Sequence, residues 1–186
     1  MSLKNIKKYT PGFNIHDIQE KYNLKKVIKL ASNENPFISK DVLTFIKKSN
    51  HKLNLYPDSN PDELHKLLAN TVGHRMTSNN IIIGNGSNEI LEFIVRANVD
   101  NKSEVIIPKH SFLVYEIISK LQNAKIIMSK PDNDKASENY LGINLESVKG
   151  KITKKTKLIF IANPANPTGT YIKLSEIDNF LQLVPK

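Results

Sequence analysis

The stretch Ile81-Ile82-Ile83-Gly84-Asn85-Gly86-Ser87-Asn88-Glu89, running into the apolar-periodic Ile90, Leu91, Ile94 and Val95, constrains the fold more than any other. Three β-branched residues in a row predict a buried strand, the two glycines a turn, and Ser87 or Asn88 a cap on the helix that follows. Together these make an anion site, because the unpaired N–H groups of the first helical turn and the positive end of the helix dipole face the turn. A phosphate is the expected occupant. The turn lacks the third glycine of the dinucleotide fingerprint, and no nucleoside-triphosphate loop of the form G-x-x-x-x-G-K-[ST] occurs. A turn whose glycines serve geometry alone is the alternative.

The rest of the chain repeats the alternation. Val27–Leu30, Glu104–Pro108, Lys125–Met128 and Leu158–Ile161 read as short strands. Helical periodicity is expected after Ser39 as cap, over Leu64–Val72, over Phe112–Leu121, over Leu145–Lys151 and over Ser175–Val184 with Ser175 as cap. Asn60-Pro61-Asp62-Glu63 is a helix start with asparagine at the cap and proline first, and Gly73 is a stop. Uniformly apolar strands alternating with helices predict an α/β fold, a mostly parallel sheet with helices on both faces. Ligands in such sheets gather at the carboxyl ends of strands, so Gly84–Asn88, Pro108–Phe112 and Ala162–Gly169 matter most. Tyr9-Thr10-Pro11-Gly12 reads as part of an N-terminal arm that packs on something else, a partner subunit being the natural candidate.

Composition narrows the classes. At 186 residues and 39% hydrophobic, the chain is long enough for a real core. It has no cysteine, which excludes disulfides, thiolate metal sites and thiol nucleophiles. His16, His51, His65, His74 and His110 show no metal-ligand spacing, so no metal is expected, and His110 reads as a surface residue. No apolar run reaches the roughly 18 residues of a membrane span, and no signal-peptide core opens the chain, so a cytoplasmic location without membrane contact is expected. The net charge of +9 is mostly scattered lysine; with only Arg75 and Arg96 as arginines, no nucleic-acid partner is expected.

The most specific feature is Asn163-Pro164-Ala165-Asn166-Pro167-Thr168-Gly169, directly after an apolar strand. Its prolines restrict the backbone and present Asn166, whose amide both donates and accepts, at a defined angle.

This loop, with Leu30-Ala31-Ser32-Asn33-Glu34-Asn35-Pro36, Tyr56-Pro57, Gly84–Glu89 and Ser111-Phe112-Leu113-Val114-Tyr115, resembles the fold-type I pyridoxal-phosphate aminotransferases, most nearly the histidinol-phosphate type. The resemblance spans nearly the whole chain. It implies pyridoxal 5'-phosphate as cofactor, a homodimer or a complementary fragment as partner, and a small substrate, an amino acid or amino phosphate ester with 2-oxoglutarate. L-Histidinol phosphate is the expected amino donor, as in histidine biosynthesis; an aromatic amino acid, or a non-catalytic module binding a phosphate compound or a protein, are the alternatives. By the same resemblance, Ser87 and Asn88 hold the cofactor phosphate and Tyr56 reaches it from the neighbouring subunit. Phe112 stacks on the pyridine ring, Asn166 donates to the ring's 3′ oxygen, and Asn33 and Asn35 lie near the substrate. Tyr115 reads as a core aromatic.

The family's imine-forming lysine, its strand-end aspartate and its phosphate- and carboxylate-binding arginines have no counterpart before Lys186. Ser49-Asn50-His51-Lys52 has a similar spelling in the wrong context. Residues 1–36 are therefore expected to be the arm and a substrate-side loop, and residues 37–186 the first half of the cofactor-binding large domain. The isolated chain is expected to be inactive in transamination.

Overall fold

A computed structural model describes residues 8–9, 12–49 and 53–185. Thr10, Pro11, Asn50, His51 and Lys52 lie outside the described residues. The chain divides into two compact units, residues 10–81 and residues 82–186 with 1–9.

In the larger unit, β1 (Glu104–Pro108) lies between β2 (Lys125–Ser129) and β3 (Thr156–Ile159), and both pairings are parallel. Residue alternation along β1 decides what covers each face. Val105 and Ile107 turn to one side, where they meet Val95 and Val99 at the end of α4 (Ser87–Asn98) and Val114 and Ile118 of α5 (Leu113–Leu121). Ile106 turns to the other, toward Val148 of α6 (Leu145–Lys149) and Phe180 of α7 (Leu174–Leu183). Every residue of β1 is buried, so its apolar run Val105–Ile107 is explained by helices on both faces. The α/β expectation holds.

The amino edge of this sheet carries a buried charge. The Glu104 carboxylate accepts from Lys125 Nζ at 2.9 Å and from Thr153 Oγ1 at 2.6 Å, joining the start of all three strands. The Thr153 hydroxyl, and after it the Lys125 ammonium, hold the Glu104 carboxyl below the ordinary glutamate range. A depressed carboxyl pKa contributes stability that is full above the unfolded value of about 4.3 and is lost as pH falls through the lower folded value. Glu104→Gln is therefore expected to lower the thermal midpoint near pH 7, with the gap to wild type closing at acid pH. A pH series of unfolding curves checks this; a gap constant from pH 7 to 3 would refute it.

In the unit of residues 10–81, α1 (Ile15–Tyr22) starts where the Asn14 side chain accepts from the His16 N–H at 3.0 Å. Ser39 caps α2 (Lys40–Ser49) as expected, its Oγ accepting from Val42 N–H. The next helix, α3 (Asp62–Val72), begins one residue later than expected, with Pro61 rather than Asn60 at the cap, and stops at Gly73 in the left-handed region. Ala69 is the only buried residue among those described in this unit, while Leu30, Phe37, Phe45 and Leu53 are each at least 70% exposed.

Two expected strands are absent. Val27–Leu30 and Ile81–Ile83 join no sheet among the described residues, although Ile81 has extended backbone, φ −112° and ψ 131°. An apolar β-branched run encodes an extended, covered backbone, but a strand exists only where a neighbour completes its ladder. Two caps also differ. Gly86 rather than Ser87 or Asn88 is the N-cap of α4, and Lys173 rather than Ser175 precedes α7, with its N–H donated to Glu176 Oε2 at 3.0 Å. No helix of the described residues is long and apolar enough to cross a membrane.

Candidate functional site

Because the three strands are parallel, their carboxyl ends share one edge, and the loops leaving β1 and β3 start from neighbouring strands about 4.8 Å apart. The Phe160 N–H donates to the Ile106 carbonyl at 3.1 Å, carrying this register past the end of β3. Residues 99–103 join α4 back to β1, so the two run in opposite directions. Twelve helical residues span about 18 Å against about 17 Å for five strand residues, so a helix of this length can cover the strand from end to end.

The N-terminus of α4 is built by two glycines with separate reasons. At Gly84 a Cβ would meet the Ile90 side chain at 2.8 Å and Glu89 Oε2 at 2.9 Å, and at Gly86 the backbone turns through φ +78°, the left-handed region. The Glu89 carboxylate folds back to accept from the Asn85 N–H at 2.6 Å and from Asn85 Nδ2 at 3.1 Å, locking the turn. Ser87 and Asn88 fall inside the first helical turn, where intrahelical bonding leaves their N–H groups free. Neither N–H has a partner among the described residues.

The loop after β1 turns at His110, which takes a left-handed φ of 63°, and Lys109 N–H holds it to the Ser129 carbonyl at 3.1 Å. Phe112 then caps α5. Its half-buried ring lies edge-to-face with Tyr115 (centroids 5.9 Å, 90°) and with Tyr9 of the arm (6.3 Å, 86°). Tyr115 stacks on Phe160 at 4.3 Å and 7°, and burial pushes its phenol pKa up. The arm residue expected to pack elsewhere thus meets an aromatic of its own chain.

The loop after β3 is clamped at its base. Asn163 Nδ2 donates to the Ile172 carbonyl at 2.9 Å while Asn163 Oδ1 accepts from the Ile172 N–H at 2.9 Å, and Ala165 N–H donates to the Thr170 carbonyl at 2.8 Å. Between these ties Asn166 is exposed, its amide unpaired among the described residues. The motif alone does not single Asn163 out from its neighbours. Its signal was available: an asparagine that begins a proline-rich loop can satisfy both backbone groups of the returning segment.

Ser87, Asn88, Phe112 and Asn166 belong to one unit. Tyr56, Asn33 and Asn35 belong to the other unit. There Tyr56 is fully exposed, Asn33 has a left-handed φ of 50°, and Asn35 Oδ1 accepts from the Phe37 N–H at 3.0 Å. No cluster of three metal-ligating side chains occurs among the described residues.

Comparison with known proteins gives the class. The family described as aminotransferase class I and II matches residues 25–186, and the chain belongs to that family. More particularly, it is 38% identical over 187 residues to histidinol-phosphate aminotransferase 1 of Idiomarina loihiensis, and 36% identical over 188 residues to histidinol-phosphate aminotransferase 2 of Carboxydothermus hydrogenoformans. These alignments take in 99% and 100% of this chain but 48% and 49% of the relatives, so the chain spans about half their length. Its fold is similar to that of histidinol-phosphate aminotransferase from Sinorhizobium meliloti in complex with pyridoxal-5'-phosphate. There the TM-score is 0.79 at 21% identity, over 99% of this chain and 50% of that one.

Proposed function

We propose that this chain supplies the cofactor-phosphate and cofactor-ring contacts of a pyridoxal-phosphate-dependent aminotransferase, with L-histidinol phosphate and 2-oxoglutarate as the substrates of the intact protein. The reading is supported by three unlike groups carried by one unit, on elements that leave or cover the same parallel sheet: free helix N-terminal amides, an apolar ring and an unpaired carboxamide. A phosphorylated aromatic aldehyde fits that donor set. The anionic group suits the Ser87 and Asn88 amides, the flat ring suits Phe112, and the ring hydroxyl suits Asn166. When bound, the conjugated pyridine ring draws electron density away from a substrate carbon and so makes its proton removable.

This chain's residues bind and orient. The first turn of α4 fixes the phosphate with backbone donors whose positions the Gly84–Glu89 turn has already set, so little ordering is left to occur on binding. Phe112 covers one ring face, excludes water and holds the plane. Asn166 donates its amide proton to the ring oxygen, which stabilises that oxygen in its ionised form. The fully exposed Tyr56 is assigned to a second copy's phosphate, and Asn33 and Asn35 to the substrate side; a homodimer follows from that assignment.

Pyridoxal 5'-phosphate titrated into the purified chain is expected to give a saturable absorbance change, and inorganic phosphate to displace it competitively. Helix-terminal anion contacts contribute about 0.3–2 kcal/mol, so displacement should need phosphate in large excess. Binding that does not saturate, or that phosphate leaves untouched, would overturn the reading.

A further inference from the structure

We infer that Tyr115 is a positioning residue for the cofactor ring: it fixes the tilt of Phe112 and ties that ring to the strand from which the Asn166 loop departs. The inference deepens the proposed function and rests on it. Phe112 opens α5 and Tyr115 lies three residues on, on the same face of the helix. Two contacts join them. The Tyr115 N–H donates to the Phe112 carbonyl at 3.2 Å, and the two rings meet at 90° with centroids 5.9 Å apart. Tyr115 is fixed in turn from two sides. Ser119, with no exposed surface, donates its hydroxyl to the Tyr115 carbonyl at 2.7 Å, and the Tyr115 ring lies 4.3 Å from Phe160 at an interplanar angle of 7°.

Phe160 is buried in the core cluster and sits three residues before Asn163. The ladder Phe112–Tyr115–Phe160 therefore joins the loop after β1 to the loop after β3, one presenting the ring and the other the carboxamide. A ring that covers a cofactor face works only at one tilt, and a perpendicular aromatic neighbour specifies tilt in a way that an aliphatic side chain of similar size does not. The hydroxyl of Tyr115 takes no part: it makes no hydrogen bond among the described residues, and burial disfavours its ionised form.

Three proteins are compared: wild type, Tyr115→Leu and Tyr115→Phe. For each, the Kd for pyridoxal 5'-phosphate, the inhibition constant for inorganic phosphate and the thermal midpoint are measured. Tyr115→Leu is expected to raise the pyridoxal 5'-phosphate Kd about five- to ten-fold, and Tyr115→Phe to stay within about two-fold of wild type. The inorganic phosphate constant is expected to be unchanged in both, because the N-terminus of α4 lies outside the ladder. Equal weakening of both ligands in Tyr115→Leu would mean general loss of packing and would overturn the inference, as would an unchanged pyridoxal 5'-phosphate Kd. Failure of Tyr115→Phe to restore binding would overturn it too, by assigning the effect to the hydroxyl. A wild-type chain that binds no pyridoxal 5'-phosphate would instead overturn the functional reading beneath it.

Discussion

Ile106→Ala is expected to destabilise the larger unit by about 2–5 kcal/mol, the range for emptying a fully buried aliphatic site. Ile106 has no exposed surface and lies at the middle of the central strand, so no solvent can enter to relieve the void. It is also the residue through which the second face is held, since Val148, Ile172 and Phe180 gather on its side of the sheet. Domains of this size carry about 5–15 kcal/mol in all, so the loss removes a large share of the total. Denaturant unfolding followed by circular dichroism should show the midpoint shift. Ile106→Val, which deletes one methylene and keeps the β-branch, should cost about 0.5–1.5 kcal/mol. Equal effects for the two would mean that the site is less tightly packed than its burial indicates.

The second large effect concerns the clamp at the base of the Asn166 loop. Asn163→Asp retains an acceptor for the Ile172 N–H but sets a carboxylate oxygen against the Ile172 carbonyl, replacing a donor-acceptor pair with two acceptors. One hydrogen bond is lost at a residue that water reaches, about 0.5–1.5 kcal/mol. At the site this becomes a loss of loop order, and the Kd for pyridoxal 5'-phosphate should rise by about two- to ten-fold. Amide exchange at Ile172 provides the structural check: its N–H should lose protection in Asn163→Ala and keep part of it in Asn163→Asp. Protection intact in both variants would show that the clamp does not hold the loop.

Legibility in the sequence followed the range of the forces involved. Helices whose starts and stops are set locally were readable: Ser39 before α2 and Gly73 after α3 act through bonds spanning a few residues. The three paired strands are readable because each carries a short run of apolar residues, Val105–Ile107, Ile126–Met128 and Leu158–Ile159. Ile81–Ile83 was misread because pairing is a property of two segments, and one segment's composition does not say whether its neighbour exists. The caps at Gly86 and Lys173 were misplaced by one or two residues because several adjacent polar residues competed for each, and backbone geometry decided between them.

At the candidate site, the glycine turn and the proline-rich loop were visible as patterns. The side chains that hold them were not. Asn163 closes its loop on a residue nine positions on, and Glu89 acts by folding backwards onto Asn85. The stacking of Tyr115 on Phe160 joins residues 45 positions apart, which no local pattern encodes.

Residues 10–81 pose a different question. Among the described residues of this stretch the leucines and phenylalanines stand in water and only Ala69 is buried, so it has little interior from which to draw cohesion. Apolar burial therefore contributes little to its order, and local helix capping and backbone hydrogen bonds carry more of it than they do in the sheet unit.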